Sequence, residues 1–96
     1  MDLQVRVADI QGHCPVYKEG DMFTLKSGYI LDTEHSCPVC MHSLSSLMPF
    51  YSALSRGIDA FDLGLAPEEG KPARIRCPDP CAYTGGGTVI LEIISL

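Results

Sequence analysis

Basic residues are scarce in this 96-residue chain: seven lysines and arginines stand against twelve acidic residues, for a formal net charge of −5. Lys18, Lys26, Lys71, Arg74 and Arg76 are scattered and form no dense patch. This disfavours nucleic-acid binding by phosphate neutralisation. No apolar run reaches the length of about 18 residues that a membrane-crossing helix needs. The first residues, MDLQVRVADIQ, lack the basic and apolar regions of a secretory leader. The expectation is a cytoplasmic protein that engages neither nucleic acid nor membrane. Disorder is disfavoured as well, because 46% hydrophobic and 20% charged residues is an ordinary globular balance. A chain of this length makes one domain, 1–96, with a small core. A metal, a cluster or an oligomer contact therefore has leverage on its stability.

Cysteine is what the chain has in quantity. There are five, an odd number, and in a reducing compartment metal binding or thiol chemistry is a stronger reading than a disulfide framework. The dipeptide Cys-Pro occurs at three distant points: HCPV at 13–16, SCPVC at 36–40 and RCPDPC at 76–81. Proline has no N–H, fixes its own φ and pushes the preceding residue toward an extended conformation. A cysteine before proline is thus held on a stiff turn with its sulfur projecting. That suits a ligand whose position must not wander.

The pattern around these turns predicts an α+β domain, a small antiparallel sheet of four or five strands with one kinked helix on a face. Leu3, Val5 and Val7 alternate as in a half-buried strand. MFTL at 22–25 and YIL at 29–31 flank a KSG turn, ARIRC at 73–77 reads as a short strand, and TVILEIISL at 88–96 as a β-branched, central one. Between them, Leu44, Leu47, Met48, Tyr51 and Leu54 recur at helical spacing. Pro38 suits the first helical position, Gly57 the stop, and Pro49 a kink.

If the helix begins at Pro38, Cys37 is its N-cap, where free N–H groups favour a thiolate. Cys14, Cys37 and Cys77 are the three candidate ligands. Cys40 completes a C-x-x-C with Cys37, a spacing that lets two sulfurs meet one metal, yet on a helix it falls in the apolar stripe. Cys81 follows Cys77 across two prolines. Either Cys40 or Cys81 is available as a fourth ligand. Three chemistries stay open: an iron–sulfur cluster, zinc, and metal-free thiol chemistry with Cys37 as nucleophile and His42 as its acid–base partner. His13 and His35 lie near cysteines in sequence, and each reads as a nitrogen ligand, a second-sphere donor or simply a solvated loop residue. TGGGT at 84–88 lacks the lysine and spacing of a phosphate loop and reads as a turn. Asp79, between two prolines, reads as a turn cap.

GHCP at 12–15, YKEGDMF at 17–23, CP at 37–38 with HSL at 42–44, and CPDP at 77–80 together resemble a family of small prokaryotic proteins common in anaerobes. The likeness runs over nearly the whole chain. It implies Cys14, Cys37 and Cys77 as a shared trio, with Cys40 and Cys81 particular to this sequence. It brings no established activity with it, but an anaerobic setting is compatible with an exposed cluster. The expected partners are a redox protein or a second copy of the chain.

Overall fold

The computed structural model describes all residues, 1–96. Its centre is an antiparallel sheet of five strands in the order β3-β2-β1-β5-β4, formed by β1 (Leu3–Gly12), β2 (Met22–Lys26), β3 (Ile30–Leu31), β4 (Ala73–Arg76) and β5 (Gly87–Ser95). The two long strands pair along nearly their whole length, from Leu3 opposite Ser95 to Gly12 opposite Gly87. β1 holds the middle, and β5, expected at the centre, lies between β1 and β4.

Alternation decides which face is covered. Leu3, Val5 and Val7 of β1, Phe23 and Leu25 of β2, Ala73 and Ile75 of β4, and Val89, Leu91 and Ile93 of β5 are all buried on one side. A side chain such as Leu91, fully out of water, contributes roughly 1.5–3 kcal/mol by burial. The register shifts between Val7 and Asp9, which leaves Ala8 as the extra residue of a β-bulge. The bulge returns Ile10 to the core side, opposite Val89, although Ile10 is an odd number of residues from Val7. The strand therefore runs on past the end of its simple alternation.

The expected helix is present in two pieces, α1 (Met41–Leu47) and α2 (Tyr51–Ser55). They part at Pro49, which has no N–H to continue the ladder. α1 lies toward β4 and α2 toward β1, and Leu47 and Leu54 enter the core. Two sequence expectations are corrected here. The helix starts at Met41, not at Pro38, so the N-cap is Cys40 and not Cys37. The Cys37 N–H is spent on the Met22 carbonyl at 2.9 Å, which holds Cys37 beside the start of β2. Met48, expected on the apolar stripe, is exposed. One helical turn was not expected, α3 (Cys81–Thr84), which starts directly after Pro80 and ends in a left-handed Gly85. No helix is long and apolar enough to cross a membrane.

The opposite sheet face carries an ion-pair cluster. Glu92 of β5, only 8% exposed, accepts hydrogen bonds from Arg74 at 3.0 Å and Arg6 at 3.3 Å. The Arg74 bond first, then Arg6, holds its carboxyl below the usual carboxylate range.

Candidate functional site

Strand order brings two of the cysteines together. Residues 13–17 leave the end of β1 and turn back over Gly87, the first residue of its neighbour β5. The His13 N–H donates to the Gly86 carbonyl at 3.2 Å. A Cβ on Gly87 would lie 2.6 Å from the Cys14 nitrogen and 2.6 Å from the His13 carbonyl carbon, so only glycine permits this approach. On the other side of β5, Cys77 ends the β4 ladder. Its N–H donates to the Val89 carbonyl at 2.9 Å, and its own sulfur accepts the Val89 N–H at 3.2 Å. The Cys77 thiol lies 3.6 Å from the Gly87 carbonyl oxygen. Pro78 cannot extend the ladder, and the sulfur takes the N–H that a further strand pairing would give to a carbonyl.

Cys14 shows what Cys-Pro does locally. In CPVY, Pro15 occupies the second position of a turn that its fixed φ suits. The Tyr17 N–H at the fourth position donates to the Cys14 sulfur at 3.3 Å. Two sulfurs, Cys14 and Cys77, therefore each accept a backbone N–H. Such donors stabilise a metal-bound thiolate and tune the potential of clusters.

Tyr17 connects this loop to α1. Burial pushes its phenol pKa up, and the phenol remains a donor. Its hydroxyl lies 2.6 Å from Ser43 Oγ and accepts the Cys40 N–H at 2.9 Å. Ser43 Oγ donates to the Cys40 carbonyl at 2.7 Å. The donors are then assigned by exclusion. Cys40 N–H gives to Tyr17, Tyr17 gives to Ser43, and Ser43 gives to the Cys40 carbonyl. This closed ring fixes Cys40 at the head of α1.

The result is a cavity of ≈ 240 Å³ lined by Cys14, Cys40 and Cys77, with Pro15, Val16 and Val89 as apolar wall and Tyr17, Ser43, His42 and Asp79 as its polar members. Cys77 is buried, Cys14 and Cys40 are partly buried, and all five cysteines are free thiols. His42 is exposed at its position on α1 while lining the cavity.

The third member of the expected trio does not join it. Cys37 lines a separate groove with Leu31, Thr33, Pro38, Val39 and Leu44. Burial first, and the negative charge of Asp21 second, push its thiol pKa up. This is opposite to the helix-cap thiolate expected for it, because the helix starts three residues later. Cys40 takes the third place on the cavity wall and also packs against the core, as its place in the apolar stripe predicts. Cys81 lines neither cavity. Its N–H donates to Thr88 Oγ1 at 3.1 Å, and its Cβ packs toward Gly12. His13 is exposed, and His35 is exposed with its Nδ1 3.0 Å from Asp32 Oδ2. Asp79 is a turn cap, bonded to the Thr84 hydroxyl through its carboxylate and to Thr88 Oγ1 through its carbonyl.

Tyr17 and Ser43 are the site residues that sequence reasoning passed over. Both lie within the quoted motifs, YKEGDMF and HSL, but a tyrosine in a loop and a serine in a serine-rich helix carry no periodic signal of a partner.

The donor chemistry suits a soft metal, with three thiols and an imidazole around one cavity. The spacing does not close the site: no three histidine, cysteine, aspartate or glutamate side chains come close enough to share an ion. No protein-family model, no curated protein and no solved structure matches the chain.

Proposed function

We propose that the chain is a small cytoplasmic metal- or iron–sulfur-cluster-binding protein whose sulfur donors are Cys14, Cys40 and Cys77. The observation that supports this is the convergence on one cavity of cysteines 26 and 37 residues apart in sequence, two of them with a backbone N–H directed at sulfur. Cys37, the expected ligand, is replaced in this reading by Cys40. The test is purification without oxygen, followed by elemental analysis and a visible spectrum. Stoichiometric metal is expected in the native protein, with its loss in C14S and its retention in C37S. A folded, colourless and metal-free protein would sink the reading.

One observation favours a second reading, a metal-free thiol protein: the absence of three donors within reach of one ion. In that case Cys14, partly buried and sharing the cavity with His42, is a better nucleophile candidate than Cys37, and a redox protein is the natural partner. The same purification decides between the two.

A further inference from the structure

The basic residues are scattered along the sequence, but strand alternation gathers them. Leu3, Val5 and Val7 of β1 face the core, so Arg6 faces the other way. The same rule turns Lys26 of β2, Arg74 and Arg76 of β4, and Glu92 of β5 to that second face. Four of the seven basic residues thus share one side of the sheet. Pairing aligns the middle of the patch: Arg74 lies opposite Glu92, Glu92 opposite Arg6, and Arg6 opposite Met22.

Glu92 holds two of these cations in a fixed posture. Arg6 Nη2 meets its Oε1 at 3.3 Å, and Arg74 Nη2 meets its Oε2 at 3.0 Å. A guanidinium has five N–H donors, so most of them stay free, on side chains that are 41% and 63% exposed. One carboxylate cannot neutralise two guanidiniums. Lys26 has Asp32 at 3.6 Å, Asp9 stands in register with Ile90 and Arg76 in the next row, and Arg76 is exposed. Four basic residues against Asp9, Asp32 and Glu92 leave this face at +1, and therefore the rest of the chain at −6.

The sign selects the partner. The same face of a second copy carries the same charge and is repelled. Single-stranded nucleic acid needs aromatic platforms and a denser basic groove, and alternation brings no aromatic residue to this face. A carboxylate-bearing protein surface fits: it meets free guanidinium donors, the charge-assisted pairing for which arginine geometry is suited. Because Glu92 already restrains both arginines, less side-chain freedom is lost on docking. Met22 and Ile30, 42% and 49% exposed, add apolar contact beside the charged row.

We propose that this sheet face docks an acidic partner protein, whose carboxylates are received by Arg6 and Arg74 as Glu92 holds them. The proposal is independent of the metal-binding reading, since the cysteine cavity lies elsewhere in the fold.

The probe is a fluorescent peptide of alternating glutamate and valine, and its control has glutamine for every glutamate. Anisotropy with the full-length protein is expected to show binding of the acidic peptide alone, weakening severalfold from low to high salt. R6Q/R74Q is expected to bind about tenfold more weakly. That variant leaves buried Glu92 without its partners, so R76Q, an exposed site, supplies a second arm with about a twofold loss. K18Q/R56Q makes the same change in net charge away from the face and is expected to bind like the native protein. Equal binding by the native protein and R76Q, or an equal loss in K18Q/R56Q, overturns the proposal. So does tighter binding to a single-stranded oligonucleotide or to phosphatidylglycerol vesicles than to the peptide, or a salt-sensitive dimer of the chain that R76Q abolishes.

Discussion

Cys14 and Cys37 begin with the same dipeptide and end in opposite situations. The Cys14 sulfur receives the Tyr17 N–H and faces a cavity shared with Cys40 and Cys77. Cys37 contributes its own N–H to the Met22 carbonyl, lines a different groove, and has its thiol raised by burial and by Asp21. The lesson is that Cys-Pro governs local backbone only. It stiffens the turn, and where the sulfur ends up depends on which strand the turn leaves. The difference also bears on C-x-x-C. Residues three apart share a side on a helix but point to opposite sides in an extended chain. Residues 37–40 precede the helix, and Cys40 has φ −80 and ψ 132. Cys37 and Cys40 accordingly line different cavities.

The contrast is most severely broken at Gly87. In G87A the new methyl meets backbone atoms of His13 and Cys14 at 2.6 Å, and backbone yields less readily than a side-chain tip. A loss of roughly 1–3 kcal/mol is expected, typical of overpacking, together with faster alkylation of Cys14 as its loop is displaced. Denaturant midpoints and mass-spectrometric labelling measure both. An unchanged midpoint with unchanged Cys14 labelling would show that the loop does not rest on Gly87.

A gentler break is Y17F. The ring stays and the Tyr17 N–H still reaches Cys14, but the Cys40 N–H loses its acceptor and Ser43, still bonded to the Cys40 carbonyl, loses its donor. A cost of about 1–2 kcal/mol is expected from the unsatisfied groups. Faster amide exchange at Cys40 should accompany it, with no change around Cys37. If exchange rises equally at both cysteines, the hydroxyl serves the fold generally rather than the cavity.

The smallest effect sharpens the other side of the comparison. A raised thiol pKa leaves little thiolate at neutral pH, so alkylation of Cys37 should be slow at pH 7 and climb above the usual thiol range of about 8.5. In D21N the nearby negative charge is gone, and labelling of Cys37 at pH 7 should rise roughly two- to threefold. The gain is modest because burial is the larger cause. A rate-versus-pH profile for Cys37 that is identical in D21N and the native protein would contradict this account.

The fold could largely be read in advance. Alternation at Leu3, Val5 and Val7 gave away the core face of β1, and the β-branched run at 88–96 gave away a strand flanked on both sides. Pro49 marked the break between the helices. The bulge at Ala8 could not be read, since its effect is to bring Ile10 opposite Val89 in a different strand. The helix start was misplaced for a similar reason. Pro38 is acceptable at a first helical position, but the Met22 carbonyl captured the Cys37 N–H across 15 residues of sequence, and the helix starts only at Met41. The ring of Tyr17, Ser43 and Cys40 spans 26 residues and leaves no periodic trace.

By itself the sequence determined the local elements: the strands by their alternation, the turns by Cys-Pro and glycine, and the α+β class by their order. Those are short-range properties, set by sterics and by the period of apolar residues. Only the tertiary structure decided which sulfurs meet. Pairing β1 with β5, and β5 with β4, carries residues 14, 77 and 87 to one place. The bond from Cys37 to Met22 ties that cysteine to the far side of β1, because β2 lies across β1 from β5. Strand order is a choice among long-range pairings, and five cysteines placed along a chain do not encode it.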